Sequence, residues 1–272
     1  SSLDTYFGIS IVIYNPNLVE LKTLLKKIIE LNDNCKIFIV DNSDNNHELN
    51  LVASNQIIYV KNKKNIGYGA AHNISIRMCL KLSVKRLFVI NYDVDFKTNV
   101  FREMLNFMSK NNDIGLMMPR IIYSDGENQY LPKTQPVYSS IIKRKIFQIS
   151  KIFFRKYVFD YESRHLSNSI NYNIKNVSGC FMLFNLKLLK NDAFFDERFF
   201  LYMEDYDLSR KLSYNYKLVL FNKSVVSHSY HSGANKEFKL LYLFLKSYII
   251  YFNKWGWVNN SYKKLNKIST HS

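Results

Sequence analysis

Cysteine is the first scarcity: Cys35, Cys79 and Cys180 are the only three in 272 residues. An odd number at wide spacing fits neither a disulfide framework nor a zinc motif, and it favours a reducing, cytoplasmic setting. Glycine (8) and proline (4) are also sparse, and no internal repeat or low-complexity tract stands out. No signal peptide is expected, because SSLDTYFGIS does not open with a basic and then an apolar run. Long hydrophobic runs are missing too. The longest, LLYLFLKSYIIYF (Leu240–Phe252), is too short to span a bilayer and carries Lys246.

Negative charge is the remaining shortage. Against 38 Lys and Arg stand 22 Asp and Glu, a net charge of +16 that points to a polyanionic partner: nucleic acid, anionic lipid or a phosphorylated small molecule. The excess gathers in KRKIFQISKIFFRK (Lys143–Lys156), which has no acid, and in the tail from Lys236 to Ser272, where Glu237 is the sole acid. With 47% hydrophobic and 22% charged residues, the chain is globular and long enough to bury a sizeable core.

What is present alternates. ISIVIY (Ile9–Tyr14) reads as a strand buried on both faces, followed by a helix with Leu18, Leu21, Leu25, Ile28 and Ile29 at helical spacing and an Asn cap signal. KIFIVDNSD and IIYVKN read as strands, IGYGAAHNISIRMCLKL as a helix, and RLFVINYD as a strand ending in acids. This βαβ alternation predicts an α/β fold with a mostly parallel, Rossmann-like central sheet flanked by helices. Further on, IGLMMPRII, NVSGCFMLF and KLVLFN read as strands, and a helix begins near Glu204. We expect one domain over residues 1–235, with a nucleotide-binding lobe to about residue 95 and an acceptor lobe beyond it. A basic, aromatic and helical C-terminal segment (236–272) follows.

Ligands of such sheets bind beyond the carboxyl ends of the strands. Polar clusters fall at four of those ends: Tyr14-Asn15, Asp41-Asn42-Ser43, Lys64-Asn65-Ile66-Gly67 and Asn91-Tyr92-Asp93-Val94-Asp95. Asp41 alone reads equally well as an Asx-turn residue. Asp93 and Asp95 repel one another, and a divalent cation, Mg²⁺ or Mn²⁺, would relieve them; a solvated loop with a helix-capping acid is the plain alternative. In FFDERFFLYMEDYDLSRKL, Glu204, Asp205 and Asp207 stand at a helix start, either as a general base and its neighbours or as helix-stabilising acids paired with Arg210. VVSHSYHSG offers His228 and His231 as further ligands or as structural histidines.

In order and spacing, SIVIYNPN, VDNSD, NIGYGAAHN, LFVINYDVD, VSGCFMLFN, FFDERFFLYMEDYDLSRKL and VVSH resemble the family 2 glycosyltransferases of GT-A fold, particularly the rhamnosyltransferase-like branch. The resemblance implies an inverting transfer from a UDP- or dTDP-type nucleotide sugar to a glycan or polyprenyl-diphosphate-linked acceptor in bacterial surface polysaccharide synthesis. It places Tyr14, Asn15, Asp41, Asn65, Gly67 and Asn91 beside the nucleotide, and Asp93 at a Mn²⁺ or Mg²⁺ ion with Asp95 and His228 as further candidates. Asp205 becomes the catalytic base and Glu204 its support. Asn91 stands where the family's motif has its first Asp. Substrate choice is assigned to the loops Tyr123–Ser140 and Tyr157–Lys175. The basic segments suit the anionic inner face of the plasma membrane, or else pack on the core.

A metal-dependent nucleotidyltransferase is a rival reading, but IVIYNPN is not its Gly- and Lys-rich phosphate loop. A basic nucleic-acid-binding protein is another, opposed by the carboxylate clusters and the lack of a recognised motif. No nucleic-acid partner is expected.

Overall fold

Among the described residues ten strands form one sheet, and its central strands are near-continuous apolar runs that only a doubly covered sheet can bury. The computed structural model describes residues 6–31, 34–44, 54–129, 131, 134–136, 166–229, 237–257 and 268–270. The basic stretch Lys143–Lys156, His231 and parts of both presumed substrate loops lie outside the described residues.

The N-terminal half is β1 (Phe7–Ile13), α1 (Leu18–Glu30), β2 (Cys35–Asp41), β3 (Ile57–Lys61), α2 (Tyr68–Lys81) and β4 (Arg86–Ile90). β1 pairs in parallel with β2 and β4, and β2 with β3, so all four strands end at one edge of the sheet. Asn17 caps α1 by accepting from the Val19 and Glu20 amides. The buried face of α1 is Leu21, Leu24, Leu25 and Ile28; Leu18, expected inside, is exposed because it belongs to the first turn, beyond the sheet's cover.

Then come β5 (Val94–Phe96), α3 (Val100–Lys110), β6 (Ile114–Ile122), β7 (Tyr172–Ile174), β8 (Phe181–Asn185), the short α4 (Leu186–Leu189), α5 (Glu204–Leu212), β9 (Lys217–His228), α6 (Glu237–Trp255) and β10 (Ser269–Thr270). The main path runs β10-β7-β9-β6-β8-β4-β1-β2-β3, with β5 paired to β9. β8 lies antiparallel between β4 and β6, whereas β9 returns parallel to β6.

Three boundaries differ from the sequence reading. β8 starts at Phe181, because Asn176–Cys180 forms a turn toward α5. β9 extends unbroken through Val225 and Val226 to His228, with a register shift at Pro119/Arg120 of β6, where a proline cannot donate to the ladder. The helix implied by a capping acid at Asp93 or Asp95 begins only at Val100, after β5, with Asn99 at its cap position.

The main core is aromatic at its centre, where Phe88 meets Phe101 edge-on at 4.7 Å and Phe181 lies within 6.0 Å of Phe101. A second cluster joins Phe199 and Met203, before α5, to Tyr248, Tyr251 and Phe252 of α6. All three cysteines are free and buried.

Candidate functional site

The shared edge of β1–β4 carries a polar cradle assembled mainly by local hydrogen bonds. Asp41 closes an Asx-turn by accepting from the Ser43 amide at 2.7 Å, and it also accepts from Tyr59 Oη (2.6 Å) and Lys61 Nζ (3.3 Å). Burial pushes the Asp41 carboxyl up, but these donors outweigh it and hold the group below its usual range. Ser43 Oγ accepts from the Asn15 amide at 2.8 Å, and Asn15 sits in the left-handed region at φ 47°. Tyr14 is exposed and donates to Asp44 at 2.7 Å.

Asn42 was quoted in its cluster without a role, yet it ties the loops together. Its Nδ2 donates to the Gly67 carbonyl (3.1 Å), and its Oδ1 accepts from Asn62 (2.7 Å). Asn65 Oδ1 accepts from the Gly67 amide at 2.9 Å. Gly67 has φ 91°, and a Cβ there would stand 2.5 Å from the Phe200 carbonyl oxygen, so only glycine fits without a shift. The next amide, Tyr68, donates to that same oxygen at 2.9 Å, joining the cradle to the loop before α5.

At the end of β4, Asp93 and His228 meet. The Asp93 carboxylate lies 3.3 Å from His228 Nε2, and Asn91 Nδ2 also lies 3.3 Å from that nitrogen. Gln129 Oε1 stands 3.4 Å from His228 Nδ1, and Gln129 Nε2 donates to the His228 carbonyl at 3.2 Å. With Nδ1 bearing the proton, Nε2 presents its lone pair beside a carboxylate oxygen. Two cis donors on an octahedral cation stand about 3 Å apart, so the pair suits a hard divalent ion. Among the described residues no group of three His, Cys, Asp or Glu converges.

Asp95, expected beside them, is not brought there. Strand alternation on β5 buries Val94 and Phe96 and turns Asp95 outward, 73% exposed, to an ion pair with Lys27 of α1. Its charge is therefore relieved by a lysine and by water.

The second acidic group lies at the start of α5. Asp205 Oδ2 accepts from the Gly179 amide (3.1 Å), and Oδ1 from the Tyr206 amide (2.8 Å). Glu204 is buried, and its Oε2 has no hydrogen-bond partner. Burial raises both carboxyls, and the charge of Asp205 raises Glu204 further. Tyr202 and Met203, immediately before, have φ 68° and 65°, a strained pair of left-handed residues that sets the direction of the helix.

Asp207 and Arg210 have other partners than the sequence suggested. Asp207 is buried and takes Lys254 Nζ at 2.7 Å and Trp255 Nε1 at 2.7 Å; Lys254 also bridges to Asp196 at 2.7 Å. Arg210 donates to Tyr251 Oη and lies over the Trp255 ring. Ser247 Oγ of α6 donates to the Leu201 carbonyl at 2.7 Å. Thus α6 braces the whole block, and nothing in the spacing of FFDERFFLYMEDYDLSRKL announces partners some fifty residues away.

One chain of contacts joins the two acidic centres. Gly179, whose amide reaches Asp205, accepts at its carbonyl from Tyr68 Oη (2.6 Å). Tyr68 Oη lies 3.4 Å from Asn91 Oδ1, and Asn91 leads to His228 and Asp93. In the sequence Tyr68 stands out only as the neighbour of Gly67 within NIGYGAAHN.

The model of glycosyl transferase family 2 matches residues 9–192. An uncharacterized glycosyltransferase of Methanocaldococcus jannaschii is 24% identical over 169 residues, covering 59% of this chain and 56% of that protein, so the chain spans little more than half of its relative. Among solved structures, GalNAc-T7 with UDP, GalNAc and Mn²⁺ superposes with a TM-score of 0.64 at 14% identity, over 93% of this chain and 48% of that one. The mannosyltransferase PcManGT of Pyrobaculum calidifontis, in complex with GDP-Man and Mn²⁺, gives 0.58 at 11% identity, over 96% and 67%. These likenesses establish the GT-A fold. With a family model matching residues 9–192, more than half of its length, the chain belongs to glycosyl transferase family 2.

Proposed function

We propose that the protein is an inverting, divalent-cation-dependent glycosyltransferase that moves a sugar from a nucleoside-diphosphate donor to a hydroxyl of a glycan or lipid-linked acceptor. The carrying observation is the contact path from Asp93 and His228 through Asn91, Tyr68 and Gly179 to Asp205, which supports a candidate cation pair working beside a raised carboxyl. The nucleotide lies over the β1–β4 edge, near Tyr14, Asn15, Asp41, Asn65, Gly67 and Asn91. Asp93 and His228 would hold Mn²⁺ or Mg²⁺, which supplies positive charge for the leaving diphosphate. Asp205 accepts the proton of the attacking hydroxyl; its backbone donors fix its direction, and burial keeps it more basic than an ordinary aspartate. Glu204 supports it. Asp95 has no part in the metal pair in this reading.

The acceptor stays on the cytoplasmic leaflet, and α6 lends the protein to it. Its inner face packs on Phe199 and Met203, while Leu241, Tyr242, Leu245 and Ile249 are exposed, with Lys239 and Lys246 beside them. Among the described residues no helix is long and apolar enough to cross a membrane. A role in surface polysaccharide assembly and a rhamnosyl donor extend this reading.

The test is calorimetry with UDP, dTDP and GDP, with and without Mn²⁺. We expect metal-dependent binding of one nucleotide, weakened at least ~10-fold in Asp93→Ala and in His228→Ala. Equal binding without metal, or in both variants, refutes the assignment. Liposome sedimentation should show loss of binding to anionic vesicles in Leu245→Glu/Ile249→Glu.

A further inference from the structure

A cavity of about 30 Å³ lies on the β6–β9 side of the Asp93–His228 pair, away from the cradle on β1–β3. Its lining includes Arg120, Asn128, Gln129, Ser167, Asn168 and Asn222. The rest of the lining is apolar, Met118, Ile121, Leu131, Leu166 and Leu220, so the cavity is a mixed surface with one cationic side chain in it.

Two of its groups lack partners. Arg120 is half-buried, its Nε is buried without a hydrogen bond, and among the described residues no carboxylate pairs with this guanidinium. Asn128 Oδ1 is likewise buried and unsatisfied. Groups left in this state cost folding free energy, more for a charge than for an amide. Their neighbours are held: Asn222 donates to the Ile170 and Ser167 carbonyls, and Gln129 grips His228. The unsatisfied pair therefore stands on a fixed frame, one side chain from the proposed cation pair.

We infer that this cavity is an acceptor subsite for an oxyanion with a hydroxyl beside it, an acidic sugar or a sugar phosphate. Arg120 binds the oxyanion, for which its planar fork of donors is suited, and Asn128 Oδ1 accepts from the adjacent hydroxyl. The volume holds roughly two water-sized groups, the space of two oxyanion oxygens, with the rest of the sugar in the mouth. Its role as an acceptor subsite rests on the glycosyltransferase reading; the binding of the anion does not. The location separates it from the nucleotide, because β8, β4 and β1 lie between β6 and the β2–β3 part of the cradle.

The experiment is titration of the full chain with methyl glucuronide, glucose 1-phosphate and methyl glucoside, for wild type, Arg120→Gln and Arg120→Lys. We expect an anionic probe to bind and the neutral glucoside not to. Arg120→Gln should weaken binding at least ~10-fold, and Arg120→Lys should retain part of it. The melting temperature of Arg120→Gln should stay level, because no ion pair within the described residues is lost with the guanidinium. Binding of the glucuronide alone identifies a carboxylate acceptor, and of the phosphate alone a sugar phosphate. Nucleoside-diphosphate affinity with Mn²⁺ should be unchanged in Arg120→Gln. The inference is overturned if neither anion binds, if the glucoside binds as well, if Arg120→Gln binds normally, or if it melts markedly lower. Loss of nucleotide binding in the wild type refutes the enzymatic reading and leaves the anion site standing.

Discussion

The edge of β1–β4 and the block around α5 both present carboxylates, but they hold them in opposite ways. At the edge, Asp41 is saturated by Ser43, Tyr59 and Lys61, all close by in the adjoining strands and turn. Around α5, Glu204 Oε2 has no partner, the chain is strained at Tyr202 and Met203, and the support comes from Lys254 and Trp255 on a distant helix. Local donors hold the Asp41 carboxyl down, whereas burial holds Glu204 and Asp205 up, even though Asp205 keeps two backbone donors. The same side-chain chemistry is thus tuned in opposite directions by donors and by burial.

The largest effect that would break this comparison is on turnover. Asp205→Asn should lower the rate by ~10²–10⁴-fold with nucleotide affinity nearly unchanged, as measured by sugar transfer and calorimetry. In the wild type, the base works only when deprotonated. Its carboxyl is raised, so the rate should climb with pH along a limb lying above the ordinary aspartate range. Near-normal turnover of Asp205→Asn would leave the α5 block as a structural helix start.

Next in size is the brace. Lys254→Met leaves Asp207 buried without its cation and should cost about 3 kcal/mol in urea unfolding. Little loss would mean that α6 is not the support of the α5 block.

Smaller and of opposite sign are two substitutions that sharpen the contrast. Asp41 has a lowered carboxyl in the fold, so its stabilisation is present above the unfolded value and is lost as the pH falls through the folded one. Asp41→Asn should therefore melt lower than wild type at pH 7, with the gap closing toward acid. Glu204 has a raised carboxyl, so its ionisation costs stability once the pH exceeds the unfolded value. Glu204→Gln should melt higher than wild type at pH 7, again with the gap closing in acid. If both variants shift the same way, the two regions do not differ as described.

Much of the fold was legible because βαβ units write themselves locally: Asn17 as a cap, continuous apolar β1, β2 and β4, and polar residues at each strand end. The candidate residues of the cradle followed from one rule about parallel sheets. Asp95 was misplaced because two acids at i and i+2 would share one strand face, whereas Asp93 lies in the turn before β5 and only Asp95 is on the strand, turned outward between the buried Val94 and Phe96 to meet Lys27. For the acids of α5, pairing with Arg210 was one of two open readings; Asp207 and Arg210 instead take their partners from α6.

By itself, then, the sequence determined the alternation of elements, the polar strand ends and the acidic start of α5, since each depends on neighbours a few residues apart. Only the tertiary structure decided which carboxylates meet a histidine, which meet a lysine and which are left without a partner. The reason is physical: the partners come from elements far along the chain, as Lys254 does for Asp207 and His228 does for Asp93, and no local pattern encodes such meetings.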